Sequence, residues 1–296
     1  MDDPRAGQPA PRRTFADYRR DAGNWITTAS GEFYPDVIEP AESLYAPVLA
    51  KFGQLLDVSG SSAELLRHIS DVRGPMRIQL LRVFRKYVSP PTSVEMLKRK
   101  GDLAGIIERF GPEFRDIGAV RAAFKARPVP DAPLSVLLWE YKDRGQKGYE
   151  LTDLFFDEFG LLFPDLSIDG PRRAGRDILM REVFADFPAP RQPVDFVIKE
   201  RDIVLAIGLA RYDSDRGGAQ EDDRTSGYNN TARMILDYCE ARGLRTKVMF
   251  LNDGPGLLLG SMWRDYADLE ASNRGKVIVF TLRMFRERVT LDWLRS

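Results

Sequence analysis

The last hundred residues alternate short β-rich apolar runs with helical stretches, and that alternation restricts the fold more than any other feature. The runs are "VDFVI" (194–198), "DIVLAIGLA" (202–210), "TKVMFLND" (246–253) and "KVIVFTL" (276–282). A helical stretch, "DDRTSGYNNTARMILDYCEARG", separates the second from the third and ends at Gly243, a good C-cap. A second, "GLLLGSMWRDYADLEAS", separates the third from the fourth. The order strand, strand, helix, strand, helix, strand implies an α/β class with a mixed central sheet flanked by helices. The third and fourth runs are continuously apolar, as expected of strands covered on both faces.

Upstream, residues 42–124 carry apolar residues at helical spacing, and "SPPTSVEML" supplies two prolines that end one element and a Ser or Thr that caps the next. The proline-rich "KARPVPDAP" (125–133) is the best linker. The expected division is therefore a helical region, 1–130, and an α/β core, 131–296. "RIQLLRVFRKYV" mixes Arg77, Arg82, Arg85 and Lys86 with an apolar face, which suits DNA contact or a solvated helix surface equally.

Forty-four basic residues balance 44 acidic ones, so no global field points to nucleic acid and any anion-binding face is local. One cysteine, Cys239, excludes an internal disulfide, and with His68 as the one histidine a His-rich or Cys-rich zinc site is excluded too. Carboxylates, lysines and a hard metal ion remain for chemistry. The first residues hold no apolar signal core, and no run of about 18 apolar residues occurs, so a cytoplasmic protein without membrane contact is expected. The Pro- and Gly-rich start, with Arg5, Arg12 and Arg13, reads as a mobile arm.

An antiparallel pair built from the first two runs puts Asp195 at the start of one strand and residues 208–211 at the end of the other. Side chains two apart share a face, so positions 208 and 210 point together, beside Asp195 if the register allows. The strand then enters "ARYDSDRGGAQEDDR", where Arg211, Arg216 and Arg224 stand against Asp213, Asp215, Glu221, Asp222 and Asp223, three against five for a local charge of −2. Such a pocket attracts a divalent cation before it attracts DNA; the alternative is a solvated loop with a helix cap at Asp222 or Asp223. Gly217 and Gly218 allow close backbone approach to a phosphate, or merely a tight turn.

"PVDFVI", a charged turn and an apolar strand entering a polar segment resemble the PD-(D/E)xK nuclease superfamily, and the arrangement over roughly residues 170–296 is similar to type II restriction endonucleases. Pro193 and Asp195 match the first half of the motif, with Val194 inserted. The second half falls at Gly208 and Ala210, where the family has an acid and a lysine. Three explanations stay open: migration of these groups to nearby positions, an inactivated chain, and a relative that binds without cutting.

The resemblance implies a Mg2+-dependent endonuclease that hydrolyses phosphodiester bonds in a short sequence of double-stranded DNA, acting as a homodimer in restriction-modification, with no RNA partner. The helical region would serve recognition or dimerisation. Asp195, Glu182, Asp213 and Asp215 are the expected metal ligands, and Asp195, Glu182, Arg211 and Asp213 the catalytic set. Glu182 and Asp177 lie in "RRAGRDILMREVF", which looks like the helix preceding the family's first aspartate. Arg176, Arg216, Gly217, Gly218, Gln220, Arg224, Asn252 and Asp253 are the expected DNA contacts. For Asn252 and Asp253, at the tip of a glycine-rich turn, a plain turn and helix cap is the alternative.

Overall fold

A computed structural model describes residues 13–28, 32–140, 146–172, 176–213, 219–273 and 275–296. The chain divides into two compact units, 31–144 and 1–30 with 145–296. Helix Ala132–Trp139, beyond the boundary expected at 130, thus belongs to the helical unit, and the described residues 13–28 belong to the α/β unit. Packing gives the reason: helix Ala132–Trp139, beyond the prolines, is tied to the helical unit by the Tyr45 hydroxyl, which donates to the Leu138 carbonyl at 2.9 Å.

In the helical unit, α1 (Ile38–Val58), α2 (Ser62–Asp71), α3 (Pro75–Tyr87), α4 (Val94–Leu97), α5 (Leu103–Phe110), α6 (Ile117–Lys125) and α7 (Ala132–Trp139) surround a core that includes Phe52, Leu80, Phe84 and Val120. Side-chain caps start four of them: Ser61, Ser93, Asp116 and Asp131 each accept the backbone N–H three residues on. Ser93 is the start signalled by "SPPTSVEML".

The α/β unit contains α8 (Gln146–Leu162), β1 (Ser167–Asp169), β2 (Ile178–Leu179), α9 (Met180–Val183), β3 (Pro193–Val194), β4 (Phe196–Glu200), β5 (Ile203–Tyr212), α10 (Ala219–Ala241), β6 (Lys247–Asp253), α11 (Met262–Ser272), β7 (Val277–Phe280), α12 (Phe285–Arg288) and α13 (Leu291–Arg295). Its five-stranded sheet has the order β1-β4-β5-β6-β7, antiparallel across β1/β4/β5 and parallel across β5/β6/β7. The fold is α/β with a mixed central sheet. Every residue of β6 and β7 is buried, the apolar runs Val248–Leu251 and Val277–Phe280 as expected and the polar Lys247, Asn252 and Asp253 of β6 with them.

Phe155 of α8 packs its ring 5.0 Å from Phe196 of β4 and 5.5 Å from Phe280 of β7. The 3-10 segment Phe15–Asn24 closes another part of this core, with Phe15 stacked on Trp263 at 4.4 Å. Glu270 fixes it there: one carboxylate accepts the N–H groups of Phe15 and Val279, and both its oxygens accept from Nη2 of Arg288. Among the described residues, no helix is long and apolar enough to cross a membrane.

The expected helix over "RRAGRDILMREVF" is absent as such. Residues 173–175 lie outside the described residues, Ile178 and Leu179 pair with Val194 and Pro193 as strands, and only Met180–Val183 is helical. Backbone pairing to the strand before Asp195 takes the residues that a longer helix would need.

Candidate functional site

The site builds up at the end of β5. Asp195 sits between β3 and β4, where the ladder to β5 is interrupted. Its N–H donates to the Gly208 carbonyl at 3.0 Å, and its Oδ2 accepts the Ala210 N–H at 2.8 Å, so the side chain does what a strand carbonyl would otherwise do. One step beyond the Ile178–Val194 pairing, Asp177 falls opposite Asp195. Burial pushes the Asp195 carboxyl up to about 6; the Ala210 N–H opposes the shift and the Asp177 charge adds to it.

Gly208 faces elsewhere. It pairs with Phe196, and a Cβ at 208 would lie 1.9 Å from the Phe196 ring, which packs on Phe155 and Phe156 of α8. The face on which the motif acid was expected is filled by core. Ala210 has the same parity, so positions 208 and 210 point together, but toward α8 and away from Arg211.

Arg211 projects from the opposite face of β5, and Asp213, one residue past the strand, meets it there. The Arg211 guanidinium donates to Asp213 Oδ1 at 2.5 Å and also hydrogen-bonds Tyr228 of α10. Burial works against the Arg211 charge, but Asp213 and Tyr228 outweigh it and hold the guanidinium protonated. Tyr228 is raised by its own burial, with Arg211 opposing and the nearby Asp195 and Asp213 charges adding to the shift, so one ring senses all three groups. Sequence reasoning missed Tyr228; an aromatic inside the polar "SGYNNT" was the available signal.

On the neighbouring parallel strand, Asn252 pairs with Arg211 and shares its face. Asn252 is 1% exposed, and neither atom of its amide has a hydrogen-bond partner among the described residues; Asp213, 5% exposed, has the same condition at Oδ2. Asp213 is gripped from below: its N–H donates to the Asp253 carbonyl at 2.8 Å and its carbonyl accepts the Gly256 N–H at 2.8 Å. Gly254, at φ 104°, and Gly256 are needed for that approach, since Cβ atoms there would come within 2.3 Å of the Asp213 carbonyl oxygen and 2.7 Å of its Cβ.

Asp253 differs from its expected role in a DNA cleft. It is fully buried, and its carboxylate accepts the N–H groups of Thr27 (2.6 Å), Gly254 (2.7 Å) and Leu282 (2.9 Å), bracketing three backbone segments. Burial raises its pKa and these three donors oppose the rise. Glu182 is exposed on α9 and pairs with Arg176, so these two expected site residues neutralise each other. Asp215, Arg216, Gly217 and Gly218 lie outside the described residues, as do the side chains of Gln220, Glu221, Asp222, Asp223 and Arg224.

Among the described residues, no three His, Cys, Asp or Glu side chains form a metal-binding group. The unpartnered polar atoms at this strand end, Asp213 Oδ2 and the Asn252 amide, include oxygen donors of the kind that suit a hard cation rather than zinc. The partly exposed Arg211 beside them offers a planar cation for an oxyanion.

Fold and site together define an α/β protein with a desolvated acid, amide and guanidinium cluster at the carboxyl ends of two parallel strands. Comparison with protein-family models, with curated proteins and with solved structures gave no match.

Proposed function

We propose that the chain is a Mg2+-dependent endonuclease acting on double-stranded DNA in the manner of type II restriction enzymes, with the second half of the usual motif replaced rather than lost. The observation that carries this reading is the Asp195 carboxylate held on the Ala210 amide near the end of β5, with the Tyr228 ring sensing the charges of Asp195, Arg211 and Asp213. Asp195 and Asp213 would hold the cation; when bound, Mg2+ polarises the scissile phosphate and lowers the pKa of a water. The Ala210 N–H fixes the orientation of the Asp195 carboxylate. Arg211, braced by Asp213 and Tyr228, supplies near a phosphate the positive charge that the missing lysine would carry. The helical unit is assigned to sequence recognition or to homodimer contacts.

One observation favours a second reading, a nuclease-like protein that binds DNA without cutting it: Phe196 leaves no space for an acid at position 208. Incubation of a genomic DNA library with the full-length protein and Mg2+, followed by sequencing of the new ends, separates the two. Ends sharing one short sequence support cleavage; retarded but unbroken DNA supports binding alone.

A further inference from the structure

Asn252 is outside the nuclease motif, yet it carries the least satisfied polar side chain of the cluster. Its amide is 1% exposed with both atoms unpartnered among the described residues, and Asp213 Oδ2, just past the end of the adjacent strand, is in the same state. A buried amide without partners is uncommon in a native interior and calls for a ligand or an ordered water. The register puts Asn252 on the face of Arg211, its pairing partner, and Asp213, one residue past the end of β5, meets the Arg211 guanidinium there. Arg211 occupies Asp213 Oδ1 and leaves Oδ2 free. Both backbones are held, Asp213 by the Asp253 carbonyl and the Gly256 N–H, and β6 by the bracket of Asp253, so neither group retreats to solvent at low cost.

We propose that Asn252 is a cation ligand standing in for the missing second acid of the motif, its side-chain carbonyl oxygen and Asp213 Oδ2 together seating a divalent cation such as Mg2+. This rests on reading the cluster as a hard-cation site and goes beyond it by naming a neutral ligand on β6. Two protein oxygens are sufficient for Mg2+, which dehydrates reluctantly and keeps several of its waters.

Mn2+, standing in for Mg2+, is titrated into the full-length protein without DNA, and free Mn2+ is followed by electron paramagnetic resonance. The proposal expects binding below about 1 mM, weakened about 10-fold or more by Asn252→Leu and tightened by Asn252→Asp, which adds a carboxylate at the same place. The melting temperature of Asn252→Leu without metal should equal or exceed that of the unaltered chain, because an unpartnered amide has been removed. If Asn252→Leu does not fold, Asn252→Asp decides alone: tighter binding supports the proposal and unchanged binding overturns it. Mn2+ affinity indifferent to both variants, or no binding in the unaltered chain, overturns it as well; a buried water then accounts for the amide. Mn2+ binding that depends on Asn252 in a protein that leaves DNA intact upholds this inference and defeats the nuclease reading. Loss of Mn2+ binding in Asp195→Asn with indifference at Asn252 does the opposite.

Discussion

The backbone N–H of Ala210 lies 2.8 Å from Oδ2 of Asp195 and donates to it, so a half-buried carboxylate completes the β4–β5 ladder where β3 gives way to β4. This contact orients the acid without fully compensating its loss of water, and the neighbouring Asp177 worsens the balance. Asp195 is therefore held ready for a positive partner that the described side chains do not give it.

The pH dependence of stability follows from that imbalance. Folding raises the Asp195 pKa from 3.8 to about 6, so the folded state favours the proton. The resulting stability is complete below about pH 4 and is lost as pH rises through about 6. Asp195→Asn, which keeps the Ala210 hydrogen bond, should stabilise the metal-free protein by about 1 to 2 kcal/mol at neutral pH, with no gain near pH 4. Urea denaturation at both values checks this, and equal gains at both would contradict it.

Position 208 should reject any side chain. A Cβ 1.9 Å from the Phe196 ring forces core movement, and Gly208→Ala is expected to cost about 3 kcal/mol by overpacking. Phe196→Leu should recover part of that loss in the double variant, as thermal melts of the four-member cycle would reveal. Restoring the motif acid with Gly208→Glu should lower stability without raising activity.

Asp253 should behave as a structural bracket. Asp253→Ala leaves three backbone N–H groups without their acceptor and should cost about 3 kcal/mol or more. Hydrogen exchange at Thr27 and Leu282 should quicken well before global unfolding. A fully stable Asp253→Ala protein with unchanged exchange would contradict this role.

Arg211→Met strips Asp213 of its counter-ion inside the protein and should destabilise by about 3 kcal/mol. Mg2+ at millimolar concentration should restore more stability to this variant than to the unaltered chain, because the cation would neutralise the same carboxylate. Calorimetric melting with and without Mg2+ measures the difference.

Much of the architecture was legible because apolar periodicity reports burial directly: continuous runs mark β6 and β7, and the polar start and Gly243 end of α10 mark a crossover helix. Strands of two or three residues, β1, β2 and β3, are too short to carry a period, and the sheet edge at Ser167–Asp169 was missed for that reason. Phe15 and Tyr18 complete the α/β core from a short, charge-rich 3-10 segment in which the buried residues are few. At the site, Asp195, Arg211, Asp213 and Asn252 stood out as polar residues at the ends of apolar strands. Their division of labour did not, because parity decides that Gly208 faces Phe196 while Arg211 faces Tyr228, and the local interruption of the ladder at Asp195 is invisible in a string of residues. Asp253 and Asn252 are adjacent and both polar; only the pleat separates a satisfied bracket from an unpartnered amide.

In the proposed function, Asp195 takes part in DNA cleavage with a divalent cation. Single-turnover cleavage of a plasmid carrying the recognised sequence, compared between the unaltered chain and Asp195→Asn at saturating Mg2+, tests it most directly. The account predicts discrete fragments from the former, none in the presence of EDTA, and a rate lower by about a thousandfold or more in the variant. Intact plasmid in every lane, or equal rates for the two proteins, would contradict it.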